Sequence, residues 1–173
     1  MFWFTSDEHF GHRNIIKYSN RPFSSIEEMN ATLIANHNEV VKAGDTTIHC
    51  GDFTLNPAPR FAQDIIAQLS GQHVFLRGSH DKWLTPTAHE IWEKKIEDQW
   101  VVCCHYAMRT WARSHYGSWQ CYGHSHGHLP PIGLQWDVGV DNNGFYPVSF
   151  DQLKAIMMQQ KDIPNLSKSE ILV

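Results

Sequence analysis

The sequence has 173 residues, enough for one domain that buries roughly 70% of its unfolded surface. Hydrophobic residues make up 42% and charged residues 18%, and no apolar run reaches the roughly 18 residues that a membrane span needs. The net charge of −4 argues against a protein that coats long nucleic acid, although a nucleotide could still bind through metal ions. The four cysteines lack zinc-ribbon spacing, and no basic leader precedes the first strand. Both features favour a cytoplasmic protein with reduced thiols.

Strands and helices are predicted to alternate in the first half of the chain. Residues 1–6 predict a hydrophobic strand, and the capping-box pattern Ser24-x-x-Glu27 begins a helix that is expected to reach about residue 43. A strand over 46–50, a helix over 56–69 and a strand over 73–77 follow. This order implies right-handed crossovers and a parallel sheet.

The second half predicts a different kind of sheet. Short strands separated by Gly, Pro and Asn turns are expected at residues 101–104, 119–122, 134–138 and 146–148. We interpret them as a second, mostly antiparallel sheet. A last helix is predicted to begin at Ser149, with Gln152 completing a capping box. The whole chain is interpreted as one domain, with residues from about 161 to 173 as a loosely attached tail.

Five short blocks rich in Asp and His follow predicted strands. They are Asp7-Glu8-His9, Gly51-Asp52, Gly78-Ser79-His80-Asp81, His105 and Gly123-His124-Ser125-His126. Carboxylate and imidazole groups bind divalent metals, and the carboxyl ends of strands are where α/β sheets bind ligands. The blocks offer enough ligands for two ions that share Asp52, and such pairs assist displacement at phosphorus. His80 is not needed as a ligand and is available as a general acid or base, and its neighbour Asp81 could orient it.

In this order the blocks resemble the signature of the calcineurin-like metallophosphoesterase superfamily: D-x-H, G-D, G-N-H-D/E, H and G-H-x-H. The resemblance runs from Phe2 to about Val148, and segments 5–12 and 137–141 are similar to a small, capless bacterial and phage branch. It implies a four-layer α/β/β/α sandwich of two mixed sheets flanked by helices. It also implies hydrolysis of a phosphate ester through attack by metal-bound hydroxide.

The resemblance further implies a role for each block. The first metal would be held by Asp7, His9, Asp52 and His126. The second would be held by Asp52, the residue at position 79, His105 and His124. His80 would be the catalytic acid, supported by Asp81.

Ser79 departs from this signature, which has Asn at that position. A hydroxyl is a shorter and weaker metal donor than the amide oxygen of Asn. Three interpretations stay open: binding through water at a weaker second site, a natural protein of low activity, or a variant inactivated on purpose. A metal- and phosphate-binding module without turnover is therefore the alternative to an enzyme.

The substrate is expected to be a small phosphate ester or a nucleotide. A phosphodiester is favoured because the chain has no insertion large enough to cap the site. His12 and Arg109 are candidate phosphate contacts, and a guanidinium suits that geometry. Mn²⁺ is the favoured metal, with Fe, Zn or Ni as alternatives for a mixed nitrogen and oxygen ligand set. Trp111 is a core residue by default, with stacking on a base as the alternative.

Overall fold

The structure is a computed structural model that describes residues 1–160. The tail predicted from about residue 161 to 173 lies outside the described residues. In chain order the first elements are β1 (Phe2–Thr5), α1 (Arg13–Tyr18), α2 (Ile26–Val40), β2 (Thr46–His49), α3 (Pro59–Ile66) and β3 (Gln72–Phe75). They are followed by β4 (Ile91–Ile96), β5 (Gln99–Cys104), β6 (Trp119–Tyr122), β7 (Gln135–Asp137), β8 (Val148–Ser149) and α4 (Phe150–Met157).

The first sheet has the strand order β3-β2-β1-β8. β1, β2 and β3 are parallel, as the alternation of strands and helices predicts, and β8 pairs antiparallel with β1. The strand expected at 146–148 is observed as β8, at Val148–Ser149. Its assignment to the second sheet was wrong, because it pairs with β1. Val148 is buried and lies in register with Phe4, so pairing at this edge continues the core of the first sheet.

The second sheet has the order β4-β5-β6-β7 and is also mixed. Only the β4–β5 hairpin is antiparallel, whereas β5–β6 and β6–β7 are parallel, so the expectation of a mostly antiparallel sheet was wrong. The long connections at 105–118 and 123–134 return the chain to the same end of the sheet, as a parallel pairing requires. β4 was not predicted because its consecutive charged residues at 93–95 hide the strand pattern.

Helix ends differ from the sequence prediction by a few residues. The N-cap of α2 is Ser25 instead of Ser24, since the Ser25 hydroxyl accepts from the backbone N–H of Glu28 at 3.0 Å. The Glu28 carboxylate in turn accepts from the backbone N–H of Ser24 at 2.8 Å. The helix ends at Val40, before the extended residue Val41. The capping box of Ser149 and Gln152 at α4 is confirmed.

Two apolar clusters hold the layers together. One lies between the sheets and includes Phe4, Ile48, Val101 and Cys121, each fully buried. The other packs helices against the outer face of the first sheet. The fold is thus two mixed four-stranded sheets flanked by helices, which confirms the predicted class. None of the helices within residues 1–160 has the length and apolar character needed to cross a membrane.

Candidate metal centre

The loops after β1, β2, β5 and β6 bring six candidate metal ligands together in two groups. Within each group, one ligand atom per residue lies within 4.8 Å of the others. The first group is Asp7, His9 and His126, and the second is Asp52, His105 and His124. Oδ2 of Asp52 lies 3.3 Å from Nε2 of His105 and 3.9 Å from Nε2 of His9. Asp52 therefore faces both groups, in the position predicted for a shared carboxylate.

Most of these ligands have an unusual backbone conformation. Five of the six have positive φ angles: 58° at Asp7, 53° at His9, 56° at Asp52, 67° at His124 and 48° at His126. This region is sparsely populated by residues other than glycine, and such strain is retained where the surroundings enforce it, commonly at functional sites. The tight turns explain why the ligands come from short loops directly after strands.

Glycines give the carboxylates room. A Cβ atom at Gly78 would collide with the side chain and backbone nitrogen of Asp52, and one at Gly123 would collide with the Asp7 carboxylate and with Ser6. The backbone N–H of His124, next to Gly123, donates to both Asp7 oxygens, at 2.9 and 3.1 Å. The glycines of the motifs thus permit close approach of one loop to the ligand of another.

Hydrogen bonds orient two of the imidazoles. Nδ1 of His105 lies 3.0 Å from the carbonyl oxygen of Cys50, and Nδ1 of His126 lies 2.7 Å from Oδ2 of Asp141. We assign the ring proton to Nδ1 in both residues, because each partner oxygen can only accept. Nε2 is then the free ligand atom, the arrangement usual for metal-binding histidines.

His9 fits a metal for another reason. Both of its ring nitrogens are buried and have no hydrogen-bond partner within residues 1–160. Buried polar atoms almost always have a hydrogen-bond partner or a metal ligand bond. The described residues supply no partner for the His9 nitrogens, so a metal ion is a suitable one. Burial lowers the pKa of His9 to about 3, which keeps the ring neutral and its lone pair available. The donor set therefore suits a divalent cation.

The two central carboxylates differ electrostatically. Burial raises the pKa of Asp7 to about 7, so a nearby cation would strongly favour its charged form. Burial also acts to raise the pKa of Asp52, but without a metal a proton on Nε2 of His105, 3.3 Å away, outweighs burial and holds that pKa below its usual range. Asp52 is therefore ionised even when no metal is bound. Asp7 ionises most readily when a cation lies nearby.

His80 and His12 both lie close to the candidate ligands. The side chain of His80 is 41% exposed, and its Nε2 lies 3.9 Å from Oδ2 of Asp52. The His12 ring centroid is 5.4 Å from that of His9 and 6.3 Å from that of His80, and its Nδ1 is buried without a partner among the described residues. Both rings thus lie beside His9 and Asp52.

Asp81 acts on the loops instead of on His80. Its carboxylate accepts from the backbone N–H groups of Gly78 at 2.8 Å, Asp52 at 2.6 Å and Phe53 at 3.0 Å, and from the indole of Trp83 at 2.9 Å. Within residues 1–160 it makes no side-chain hydrogen bond with His80. The direct orienting contact expected from the sequence is therefore replaced by a clamp that joins two ligand loops.

Ser79 and Arg109 lie differently from the simplest expectation. The Ser79 hydroxyl donates to Asp52, at 3.0 Å to Oδ2 and 3.3 Å to Oδ1. Arg109 is exposed and makes no hydrogen bond or ion pair with any candidate ligand in the part of the chain that the structure describes. Its contact with a substrate phosphate stays a prediction. Trp111 is buried, and its indole donates to the carbonyl of Ser118, which places it in the protein core.

The residues behind the ligands were not predicted from the sequence. Arg21 is 5% exposed and donates to both Asp141 oxygens at 2.8 Å, to the Asp7 carbonyl at 2.6 Å and to the Glu8 carbonyl at 3.0 Å. Asp141 lies at the end of segment 137–141, which carried part of the family resemblance, so its signal was present. Arg21 follows a short helix and belongs to no motif, so only the fold identifies it.

The fold and site define a class: an α/β protein of two mixed sheets with a candidate two-metal centre at the strand ends. No family model matches the chain. It is 32% identical over 171 residues to uncharacterized protein MJ1445 of Methanocaldococcus jannaschii, with 94% of each chain covered. The chain belongs to the same family as that archaeal protein.

One solved structure supports the fold. The protein of unknown function AQ665 from Aquifex aeolicus superposes with a TM-score of 0.71 at 20% identity, covering 90% of this chain and 98% of that one. A predicted phosphoesterase from Streptococcus pneumoniae covers 80% of this chain and 70% of its own, with a TM-score of 0.46 and 14% identity. The first likeness supports the fold, and the second is too distant to carry an argument.

Proposed function

We propose that the protein is a metal-dependent phosphoesterase that hydrolyses a small phosphate ester, with a phosphodiester favoured. One observation carries the proposal: Asp52 lies between two groups of ligands, with Nε2 of His105 at 3.3 Å on one side and Nε2 of His9 at 3.9 Å on the other. A carboxylate between two imidazole-rich groups is the arrangement that a two-metal site requires.

The residues divide into two ligand sets. Asp7, His9, Asp52 and His126 would hold the first ion, and Asp52, His105 and His124 would hold the second, with Ser79 as a weak or water-mediated ligand. Bound ions would polarise a phosphoryl oxygen and make a water more acidic. The nitrogen and oxygen donors suit Mn²⁺, our first choice, and also Fe, Zn or Ni.

His80 is the proposed proton donor. As water attacks phosphorus and releases a proton to solvent, the ester P–O bond breaks and the leaving oxygen takes a proton from His80. The His80 ring faces Asp52 and is open to solvent, from which it regains a proton. His12 lies beside it and would contact a phosphate oxygen. Asp81 is a positioning residue, because it fixes the loops that carry Asp52 and His80.

An open site supports a phosphodiester over a monoester. The side chain of His80 is 41% exposed and His124 is also exposed, so a phosphate with substituents on both sides could reach the ligands. The four cysteines are buried and unpaired, which supports the proposal that the protein works in the reducing cytoplasm.

A binding module without turnover is the second candidate. The hydrogen bonds from Ser79 to both Asp52 oxygens favour it, since they engage the carboxylate that both ions would share. Such a protein would keep the first ligand group and a phosphate-recognising surface.

Hydrolysis of bis-p-nitrophenyl phosphate across a Mn²⁺ titration tests the proposal. We expect turnover that rises with Mn²⁺ and is lost in Asp52→Asn, whereas Asp64→Asn on the exposed face of α3 should behave as wild type. Absence of turnover while Mn²⁺ binds would reject the enzyme and favour the binding module. The Ser79→Asn variant then separates a disabled enzyme, which regains turnover, from a binder, which does not.

A further inference from the structure

A pocket of about 470 Å³ opens beside the second ligand group. Its wall includes Gly78, which precedes Ser79, and Cys104, which precedes His105. The pocket therefore begins where the loops of the candidate metal centre begin. Its volume lies in the range of pockets that bind small ligands, about 300–1,000 Å³.

Tyr106 forms the side of this pocket nearest the ligands. Its ring centroid lies 4.8 Å from those of both His105 and His124, in edge contacts, and the residue is 47% exposed. An aromatic ring in contact with two neighbouring rings and open to solvent is suited to stacking against a flat ligand. Ile91, which is 52% exposed, and Met108 add apolar surface to the pocket.

Two charged residues line the same pocket. The guanidinium of Arg77 is tied to the carbonyl of Thr85, and Glu90 is exposed with its carboxylate available as an acceptor. A carboxylate is the acceptor that suits an exocyclic amine of a base. An aromatic face together with a carboxylate matches a nucleobase that carries an amino group.

We propose that this pocket binds the nucleoside part of a nucleotide, with an amino-bearing base stacked on Tyr106 and its amine donating to Glu90. The inference rests on the proposed function, because a phosphate at the candidate metal centre directs its attached nucleoside into the adjoining pocket. It narrows the substrate class from small phosphate esters to nucleotides.

Calorimetric titration of the Mn²⁺-loaded protein tests the pocket without measuring turnover. The probes are cytidine 5′-monophosphate, uridine 5′-monophosphate and ribose 5-phosphate, which share a phosphate and differ in the base. We expect cytidine 5′-monophosphate to bind at least about tenfold more tightly than ribose 5-phosphate, as stacking of one base allows. We expect it to bind more tightly than the uridine nucleotide as well, because uracil lacks the amine.

Variants assign these preferences to residues. Tyr106→Leu should remove the preference for the nucleotide over ribose 5-phosphate, and Tyr106→Phe should retain it because the ring remains. Glu90→Gln should reduce the preference for cytidine over uridine. Tyr116→Leu, at an exposed tyrosine on a different part of the surface, is the matched control. Unchanged affinity of Tyr106→Leu for ribose 5-phosphate would show that its metal centre is intact.

Three outcomes would overturn the pocket assignment: no binding of cytidine 5′-monophosphate, equal affinity for it and ribose 5-phosphate, or a preference that survives in Tyr106→Leu. These are distinct from failure of the proposed function. A protein that hydrolyses bis-p-nitrophenyl phosphate without nucleotide preference is a phosphoesterase with another substrate. A protein that shows the Tyr106-dependent preference without turnover keeps the pocket and loses the enzymatic assignment.

Discussion

Asp141 holds His126 by a 2.7 Å hydrogen bond to Nδ1, and Arg21 binds both oxygens of the same carboxylate at 2.8 Å. Burial acts to raise the pKa of Asp141, but the hydrogen bonds from His126 and Arg21 outweigh it and lower that pKa. Asp141 is therefore a charged acceptor that fixes both the orientation and the tautomer of a candidate metal ligand.

We expect Asp141→Ala to weaken metal binding by about 10–100-fold, because His126 loses the acceptor that leaves Nε2 free. Equilibrium dialysis with Mn²⁺ measures the change directly. The matched control is Asp151→Ala, at an exposed position in the first turn of α4. Wild-type affinity in Asp141→Ala would show that His126 does not depend on this partner.

Ser79→Asn is expected to raise affinity for the second ion and to raise turnover. The amide oxygen is a better ligand than the hydroxyl, which donates to Asp52 at 3.0 Å. A gain on the order of tenfold in affinity is typical of one adjusted group at a metal site. Ser79→Ala separates the two effects, since it removes the donation to Asp52 without adding a ligand. Unchanged metal stoichiometry and rate in Ser79→Asn would contradict the prediction.

The motif residues were predictable because their positions follow from chain order. Alternating strands and helices place the ends of β1, β2 and β3 at one edge of a sheet, so Asp7, Asp52 and His80 had to meet there. Pairing in the second sheet was not predictable in the same way. A short strand's neighbour and direction depend on which faces bury together, and the local sequence does not encode that.

Glu8 and His49 show a second limit of sequence reasoning. Glu8 lies between two candidate ligands, yet its Oε1 is 2.5 Å from Nδ1 of buried His49, away from the metal centre. His49 belongs to none of the five blocks of Asp and His residues. It lies in β2, and its Nε2 is hydrogen-bonded to Nδ1 of His73 at 3.1 Å. The hydrogen bonds that join Glu8, His49 and His73 form only when distant segments of the chain pack together. A local sequence pattern therefore does not predict them.

The cluster of His37, His49 and His73 is expected to contribute stability at neutral pH that is lost in mild acid. Burial is the main cause that lowers the pKa of His49 to about 3 and of His73 to about 4, and it also lowers that of His37. Glu8 is the acidic group that faces the cluster, and because burial raises its pKa to about 8, its protonation acts in the opposite direction. Since the three rings protonate more readily when unfolded, the stability that they contribute is present above about pH 6.5 and is lost as the pH falls towards 4.

We expect His73→Gln to reduce this slope by up to about 1.4 kcal/mol per pH unit, the contribution of one proton. Urea denaturation at several pH values between 7 and 4 measures it, with a chelator present so that metal release does not contribute. His89→Gln, at an exposed histidine, is the control. If the free energy of unfolding depends on pH in the same way in wild type and His73→Gln, protonation of His73 is not coupled to folding.

Arg21 is expected to matter for stability as well as for metal binding. It is 5% exposed and ties the Asp7 and Glu8 carbonyls to the Asp141 carboxylate, so Arg21→Met leaves a buried charge and two carbonyls without their donor. Breaking a buried ion pair costs about 3–5 kcal/mol, whereas an exposed pair contributes at most about 1 kcal/mol. Arg60→Met removes the exposed pair with Asp64 and serves as the control.

Urea denaturation of the metal-free protein separates the two roles of Arg21. We expect a large loss in Arg21→Met, a loss within about 1 kcal/mol in Arg60→Met, and a smaller additional loss when Asp141→Ala is combined with Arg21→Met, because the unpaired charge is then gone. Additive losses in the double variant would mean that Arg21 stabilises the fold through the carbonyls of Asp7 and Glu8 alone. In that case the orientation of His126 would depend on Asp141 without help from Arg21.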